Sequence, residues 1–300
     1  MKQKGADLYI LERNLVRRDF NTAAHRYEES AILQRNVSNR LDERLDLISI
    51  RPDRILDLGS GTGMSAKKLS KRYRGARVYQ VDFAVNMLRL ARQGSRRLFS
   101  RQAYLCADAE SLPMAAGCMD MVFSSLMLQW CMAPGLVFSE ACRVLSPGGL
   151  LIFSSLGPDT LYELRNSWKA VDDTIHVNAF IDMHDLGDAL VHNGYTDPVM
   201  EMEYIKLNYE DVFGLMRDLK QLGAHNINQG RRRTLTGKSR LARMVAEYEK
   251  SRREGKLPAT YEVIYGHAWK REASVQSVQP GSQASIPLSS IKRRRPAGVG

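Results

Sequence analysis

ILDLGSGTG, residues 55–63, places three glycines (Gly59, Gly61 and Gly63) directly after a strand-like apolar run. The helix-like segment MSAKKLSKRY follows at once. Glycine tolerates positive φ and lets a ligand come close to the backbone. Because the first strand-to-helix turn of an open α/β sheet is a common ligand site, this pattern predicts such a turn and a bound small molecule.

Apolar runs alternate with helix-length segments along the middle of the chain. We predict strands over residues 54–58, 77–82, 103–108, 119–126 and 149–156. This alternation is typical of a parallel α/β sheet. Two later strand-like runs, 199–209 and 259–269, are separated by a long segment of helical character. We therefore expect a seven-stranded, mostly parallel sheet with helices on both faces and a helical insertion before the last strand.

Acidic residues stand in or after the first three predicted strands. Asp57 lies in the glycine-rich stretch, Asp82 ends the second strand and Asp108 ends the third. The Asp82 carboxylate can accept both hydroxyls of a ribose, and Asp108 can accept from an adenine amino group or cap the next helix. No G-K-[ST] follows the glycines to bind phosphate. The pattern favours a nucleoside ligand without phosphates, and S-adenosylmethionine fits it.

Four segments resemble the motifs of class I S-adenosylmethionine-dependent methyltransferases, which have a Rossmann-like fold. They are ILDLGSGTG, VDFAVNML, ADAESLPM and RVLSPGGLLIF, within residues 54–156. The resemblance implies S-adenosylmethionine as cofactor. The residues that it implies for cofactor binding are Asp57, Gly59, Gly61, Gly63, Asp82, Phe83, Met87, Asp108, Ala109 and Ser125.

Further segments, outside those motifs, resemble the malonyl-acyl carrier protein O-methyltransferases of biotin synthesis. They include FNTAAHRYEESAILQ, LMLQW, DLKQLGAHN and LPATYEVIYGHAW, spread over residues 20–269. This resemblance implies methyl esterification of the free carboxylate of a malonyl thioester, carried by acyl carrier protein or by coenzyme A. A carboxyl group with a pKa near ~4 is already ionised at neutral pH, so the reaction needs no general base.

Four residues are candidates for holding the reacting carboxylate. Tyr27 offers a hydroxyl from the N-terminal segment, and Arg165 could bind a carboxylate with two parallel hydrogen bonds. Gln129 and Trp130 follow the fourth predicted strand, beside the expected methyl group. Structural interpretations remain open, because both aromatics could simply be packed and Arg165 could pair with a neighbouring acid. The histidines show no metal-ligand spacing, and we assign no metal site.

The domain organisation follows from these motifs. We expect an N-terminal helical lid over residues 1–50 and a cofactor-binding core over 51–156. Residues 157–270 complete the sheet with substrate-binding insertions, and 271–300, rich in Ser, Gln, Pro and Gly with a basic cluster, form a disordered basic tail.

The chain is basic, with 44 Lys and Arg against 33 Asp and Glu, a net charge of +11. Such an excess favours an acidic partner, and an acidic carrier protein would be steered by it. The candidate docking residues lie in the helical insertion: Arg231, Arg232, Arg233, Lys238, Arg240 and Arg243. The alternative is that these residues simply form a solvated basic surface with no specific partner.

Localisation is predicted from what the chain lacks. We find no signal-like N-terminus and no apolar run long enough to cross a bilayer, which predicts a cytoplasmic protein without membrane contact. The four cysteines form no CxxC pair, and we expect reduced thiols buried in the core.

Two other functions remain open. DTLYELR and PATYEVIYGHAWK also resemble a complex I assembly factor family of the same fold, which acts as an arginine hydroxylase. The basic clusters would suit a methyltransferase-fold protein that binds RNA. We nevertheless expect no nucleic-acid partner, because the sequence has no RRM, KH or zinc-knuckle signature.

Overall fold

A seven-stranded sheet runs through the described residues, 12–95, 101–223 and 237–272, in this computed structural model of the chain. The strand order is β3-β2-β1-β4-β5-β7-β6. The strands are β1 (Arg54–Leu58), β2 (Arg77–Asp82), β3 (Gln102–Cys106), β4 (Met119–Ser125), β5 (Leu145–Leu156), β6 (Tyr195–Tyr209) and β7 (Leu257–Lys270). Strands β1 to β5 pair in parallel, whereas β7 is antiparallel to both β5 and β6. The predicted mostly parallel sheet is confirmed.

Helices connect the strands and cover the sheet. They are α1 (Arg13–Ser30), α2 (Ile32–Arg44), α3 (Met64–Arg72), α4 (Val85–Gln93), α5 (Pro134–Val144), α6 (Tyr162–Lys169), α7 (Met183–His192), α8 (Val212–Gln221) and α9 (Lys238–Glu249). Helices α8 and α9 lie between β6 and β7, where the helical insertion is predicted.

The central strands bury both of their faces. Along β1 and β5, Ile55 and Ile152 pack in one core with residues of α2, α3, α6, α8 and α9. Leu56 and Leu151 point to the other side and pack with residues of α5 and α7. This separation follows from the two-residue alternation of side chains in a strand. Helices therefore cover both faces, as predicted.

Several helices begin where the sequence supplies a suitable cap. Asp182 precedes α7 and accepts the His184 N–H at 2.8 Å, and Asp211 precedes α8 and accepts the Gly214 N–H at 2.8 Å. These bonds satisfy N–H groups that have no partner inside the helix. Pro134 opens α5, where its fixed φ suits the first turn.

Helix α1 lies beside the carboxyl end of the sheet and contacts α4 and α8. Asn21 of α1 accepts the Asn86 backbone N–H through its side chain at 2.9 Å, and its carbonyl accepts from the Asn86 amide at 3.0 Å. The first helix is thereby fixed to the start of α4. The boundary of a lid over residues 1–50 stays a prediction, since residues 1–11 lie outside the described residues.

The prediction of reduced core cysteines is wrong for Cys106 and holds only in part for the other three, which pack against the core without being fully buried. Cys106 is exposed, and Cys118, Cys131 and Cys142 are only partly buried. Cys106 ends β3, which forms an edge of the sheet and has a strand neighbour on one side only. All four thiols are free rather than paired in disulfides.

Two other predictions fall largely or wholly on undescribed parts of the chain. The disordered tail, 271–300, lies outside the described residues apart from Arg271 and Glu272, as do Arg231, Arg232 and Arg233. Among the residues that are described, no helix combines the length and apolar character needed to span a membrane.

A packing comparison tests this arrangement of the core. Phe153 of β5 is fully buried and its ring centroid lies 5.3 Å from that of Phe138. We predict that Phe153→Ala lowers the free energy of unfolding by about 3–5 kcal/mol, because it removes packed ring surface and leaves a cavity. The control is Phe213→Ala on α8, where the side chain is 48% exposed and we expect a change within about 0.5 kcal/mol. Urea unfolding measures both, and equal effects would contradict the packing described here.

Candidate active site

The turn between β1 and α3 takes its shape from its glycines. Gly59, Gly61 and Gly63 have φ values of 75°, 54° and 81°, which glycine adopts without strain. A Cβ on Gly59 would collide with the Met127 side chain, and one on Gly63 would lie 2.7 Å from Gln80 Oε1. Nothing lies within 4 Å of a Cβ built on Gly61. Gly61 therefore faces open space, whereas packing leaves no room for a side chain at Gly59 or Gly63.

Asp82 joins this turn to the end of β2. Its carboxylate accepts the Gly61 N–H at 2.9 Å and the Ala84 N–H at 2.8 Å. Burial raises the pKa of Asp82 to about 6, although the backbone hydrogen bonds oppose this rise. The carboxylate thus lies beside the glycine turn with two of its acceptor positions already used by the backbone.

A cavity lies against the glycine turn, and we name it the turn cavity. Most of the predicted cofactor-binding residues line it, and so do two of the predicted catalytic residues. They are Gly59, Gly61, Asp82, Phe83, Met87, Asp108, Ala109 and Ser125, with Tyr27 and Trp130. The structure brings these residues together around one space.

Asp57 and Gly63 do not line the turn cavity. Asp57 is buried in β1, accepts a hydrogen bond from the Ala66 backbone and has an Oδ2 atom without a hydrogen-bond partner. Burial raises its pKa to about 7. Gly63 caps the start of α3. The two residues belong to the elements that flank the turn, β1 and the start of α3. Their assignment to cofactor binding stays a prediction.

Asp108 is held from two sides at the rim of the turn cavity. Its Oδ1 accepts the Glu110 N–H at 2.9 Å, and its Oδ2 forms an ion pair with Arg13, the first residue of α1. Arg13 also lies 3.8 Å from Glu110. No sequence motif points to Arg13, because its contact with Asp108 depends on how α1 packs.

A second cavity adjoins the first, and we name it the apolar cavity. Phe20, Tyr27, Leu126 and Trp130 line both cavities. We name these four residues the shared wall. Most of the remaining lining is apolar, and its ionisable side chains besides tyrosine are His176 and Asp218. Among the described residues, therefore, no lysine or arginine lines the apolar cavity.

Aromatic contacts hold the shared wall together. The Phe20 ring centroid lies 5.2 Å from Trp130 in an edge-to-face arrangement and 6.4 Å from Tyr27. Such offset aromatic pairs are favourable beyond the area they bury. Burial, with a smaller contribution from the nearby Asp82 charge, raises the pKa of Tyr27 well above its usual value. The Tyr27 phenol consequently keeps its proton and can donate a hydrogen bond.

Leu126 brings an unusual backbone to the shared wall. Its φ is 51°, a conformation that a leucine rarely adopts, and its N–H bonds to the carbonyl and the hydroxyl of Ser154, both at 3.1 Å. Strained residues of this kind often occur at functional sites. The Leu126 carbonyl accepts from Gln129 Nε2 at 2.7 Å, while Gln129 Oε1 is buried without a partner and Gln129 lines the apolar cavity.

Arg165 lies away from both cavities. Its guanidinium donates to the Pro158 carbonyl at 2.7 Å and to the Thr160 carbonyl at 2.8 Å, which fixes the turn before α6. The structure does not bring Arg165 to the shared wall. This position does not support a role in binding the substrate carboxylate, and that role stays a prediction. No group of three His, Cys, Asp or Glu residues suited to a metal ion occurs in the described part of the chain.

Comparison with known proteins relates this site to methyltransferases. The methyltransferase domain family matches residues 56–153. A malonyl-[acyl-carrier protein] O-methyltransferase from Gallionella capsiferriformans is 50% identical over 267 residues, covering 87% of this chain and 92% of that protein. The enzyme of the same name from Methylovorus sp. is 50% identical and covers 90% and 93%. The one from Legionella pneumophila is 39% identical and covers 94% and 98%.

Solved structures share the fold at low sequence identity. The YcgJ protein from Bacillus subtilis has a TM-score of 0.57 and 14% identity, covering 78% of this chain and 99% of that chain. Phosphoethanolamine N-methyltransferase 2 from Haemonchus contortus, solved in complex with S-adenosyl-L-methionine, has a TM-score of 0.53 and 18% identity, covering 84% and 57%. The predicted Rossmann-like methyltransferase fold is confirmed.

The raised pKa of Asp57 predicts how stability depends on pH. The ordinary value is 3.8 and the folded value about 7, so over this window the unfolded chain is the more ionised state. Stability then falls as pH rises through the window. Relative to the wild type, we predict that Asp57→Asn gains roughly 2–3 kcal/mol between about pH 5 and about pH 8.

Urea unfolding of the ligand-free wild type and variant at both pH values measures this gain. Asp82 is present in both proteins, so its own titration largely cancels from the comparison. A difference in stability that does not change with pH would show that Asp57 is not held in a costly ionised state.

Proposed function

The chain belongs to the malonyl-[acyl-carrier protein] O-methyltransferase family, and we propose on this premise that it methylates the free carboxylate of malonyl-acyl carrier protein with S-adenosylmethionine. The product is a malonyl methyl ester, and the reaction is an early step of pimeloyl and biotin synthesis. The observation that carries this proposal is the extent of the match. Relatives at 50% identity cover 87–90% of the chain, far beyond the methyltransferase domain at 56–153.

The turn cavity suits S-adenosylmethionine. Gly61 leaves open space at the turn, where a side chain would otherwise project, and the buried Asp82 carboxylate is a ready acceptor for ribose hydroxyls. Phe83, Met87 and Ala109 offer an apolar surface for the adenine. These residues would hold the cofactor. When bound, it supplies a methyl group activated by a sulfonium charge.

The chain's own contribution to the reaction is alignment and removal of water. A malonyl carboxylate is ionised at neutral pH and attacks without losing a proton, so no general base is required. Holding the two reactants in line supplies several kcal/mol towards the barrier. The shared wall is mostly apolar, and its position between the two cavities supports a water-poor site for the attack.

Tyr27 is the residue that we propose as donor to the substrate or cofactor carboxylate. It lines both cavities and its phenol keeps its proton. A neutral donor orients a carboxylate while leaving it more nucleophilic than a bidentate guanidinium pair would. We propose that Trp130 shapes the wall beside the methyl group, and that Gln129 offers its buried amide oxygen to the thioester arm.

The malonyl group arrives on acyl carrier protein, and we propose malonyl-coenzyme A as a second acceptable carrier. Among the described residues, Lys238, Arg240 and Arg243 give the start of α9 a positive charge that suits an acidic carrier protein. We propose a cytoplasmic location, with neither a membrane nor a nucleic acid as partner. Family membership favours the carboxyl methyltransferase over the arginine hydroxylase-like and RNA-binding alternatives.

A product assay tests this function. We predict that the protein transfers label from methyl-labelled S-adenosylmethionine to malonyl-acyl carrier protein, and that mild base releases the label as methanol, as expected for an ester. Acetyl-acyl carrier protein is the matched control, because it lacks the free carboxylate. Label on the control, or label on malonyl-acyl carrier protein that resists base, would contradict esterification.

A further inference from the structure

A surface groove beside α6 adjoins the apolar cavity. Its lining includes Arg165, Lys169 and Ala179. We name it the α6 groove. It shares Trp168, His176, Val177, Asn178 and Phe180 with the apolar cavity. Because the apolar cavity meets the turn cavity at the shared wall, these three spaces adjoin one another in sequence from the surface to the glycine turn.

The junction between the α6 groove and the apolar cavity is held in place. The Trp168 and His176 rings stack with their centroids 3.8 Å apart and their planes 6° from parallel. His176 Nε2 lies 2.8 Å from Asp172 Oδ1, which also accepts the Thr174 hydroxyl at 2.6 Å. The fixed rings give this junction a rigid lining, which suits a thin, extended ligand.

Cationic groups surround the outer end of the groove. Lys169 is exposed in the last turn of α6, and Arg243 of α9 reaches the Ala170 carbonyl at 3.4 Å. Arg165 lines the groove itself. Two acids, Asp172 and Asp173, also line the groove, so three cationic side chains stand against two carboxylates. An anion at the outer end would therefore meet more positive than negative charge.

We propose that the substrate's phosphopantetheine arm enters through the α6 groove. Its phosphate lies near Lys169 and Arg243, its amide-containing portion runs past Trp168 and His176, and its malonyl end reaches the shared wall. This inference rests on the proposed function, and it adds the path that the substrate takes. It also gives Arg165 a different role, as a positioning residue of the groove that holds the turn before α6.

Charge reversal in the α6 groove tests whether the phosphate of the arm lies near Lys169. We predict that Lys169→Glu raises KM for malonyl-acyl carrier protein at least about threefold with little change in kcat, because a favourable contact with the phosphate becomes a repulsion. Malonyl-N-acetylcysteamine, which has no phosphate, should keep its wild-type KM. The control is Lys71→Glu, an exposed lysine in the last turn of α3, which should leave both substrates unaffected.

A steric variant tests the groove independently of charge. Ala179 is exposed and lines the α6 groove, so Ala179→Trp should obstruct it and lower kcat/KM for malonyl-acyl carrier protein at least about tenfold. Ala115→Trp replaces another exposed alanine, in the loop before β4, and should have wild-type kinetics. Wild-type kinetics in both groove variants would overturn the proposed path.

A binding measurement separates this inference from the proposed function. Calorimetry with 4′-phosphopantetheine requires no methyl transfer, and we expect Lys169→Glu and Ala179→Trp to bind it several-fold more weakly than the wild type. One outcome is that the wild type fails to methylate malonyl-acyl carrier protein while both variants still bind 4′-phosphopantetheine more weakly than it does. In that case the proposed function is wrong and the path stands. Equal binding by the wild type and both groove variants, or no binding by any of them, would overturn the path.

Discussion

The hydrogen bonds that the Asp82 carboxylate accepts from the Gly61 and Ala84 N–H groups set the geometry of this protein's site. They tie the first turn of the sheet to the end of β2, at 2.9 Å and 2.8 Å. Burying a carboxylate is unfavourable, and the raised pKa of Asp82 records that penalty. The backbone bonds offset part of it. A charged acceptor is thereby kept beside an open turn, where a cofactor can use it.

Helix α1 helps to line two adjoining cavities at this strand-end site. Phe20 and Tyr27 of α1 form half of the shared wall, and Arg13 at the start of the helix pairs with Asp108 on the rim. The substrate's nucleophile is a carboxylate that needs no deprotonation. Because no proton has to be removed, the protein contributes by aligning the reactants and excluding water, and the side chains of α1 take part in both.

Sequence patterns were sufficient for the sheet and for the centre of the turn cavity, because both depend on local order along the chain. Strand alternation indicates the parallel core, and Gly61 and Asp82 follow adjacent strands whose ends must meet. The positive φ of Leu126 and the packing of Phe20 on Trp130 depend on tertiary contacts, which no local pattern encodes. For the same reason the position of Arg165 in a groove, rather than at the shared wall, emerged only from the structure.

The most direct test of this account is a crystal structure of the protein with S-adenosylhomocysteine and malonyl-acyl carrier protein. We expect the ribose hydroxyls within hydrogen-bonding distance of Asp82. We also expect the malonyl carboxylate at the shared wall of Phe20, Tyr27, Leu126 and Trp130. A malonyl group bound away from that wall, or a nucleoside bound outside the turn cavity, would contradict the claim that methyl transfer occurs where the two cavities meet.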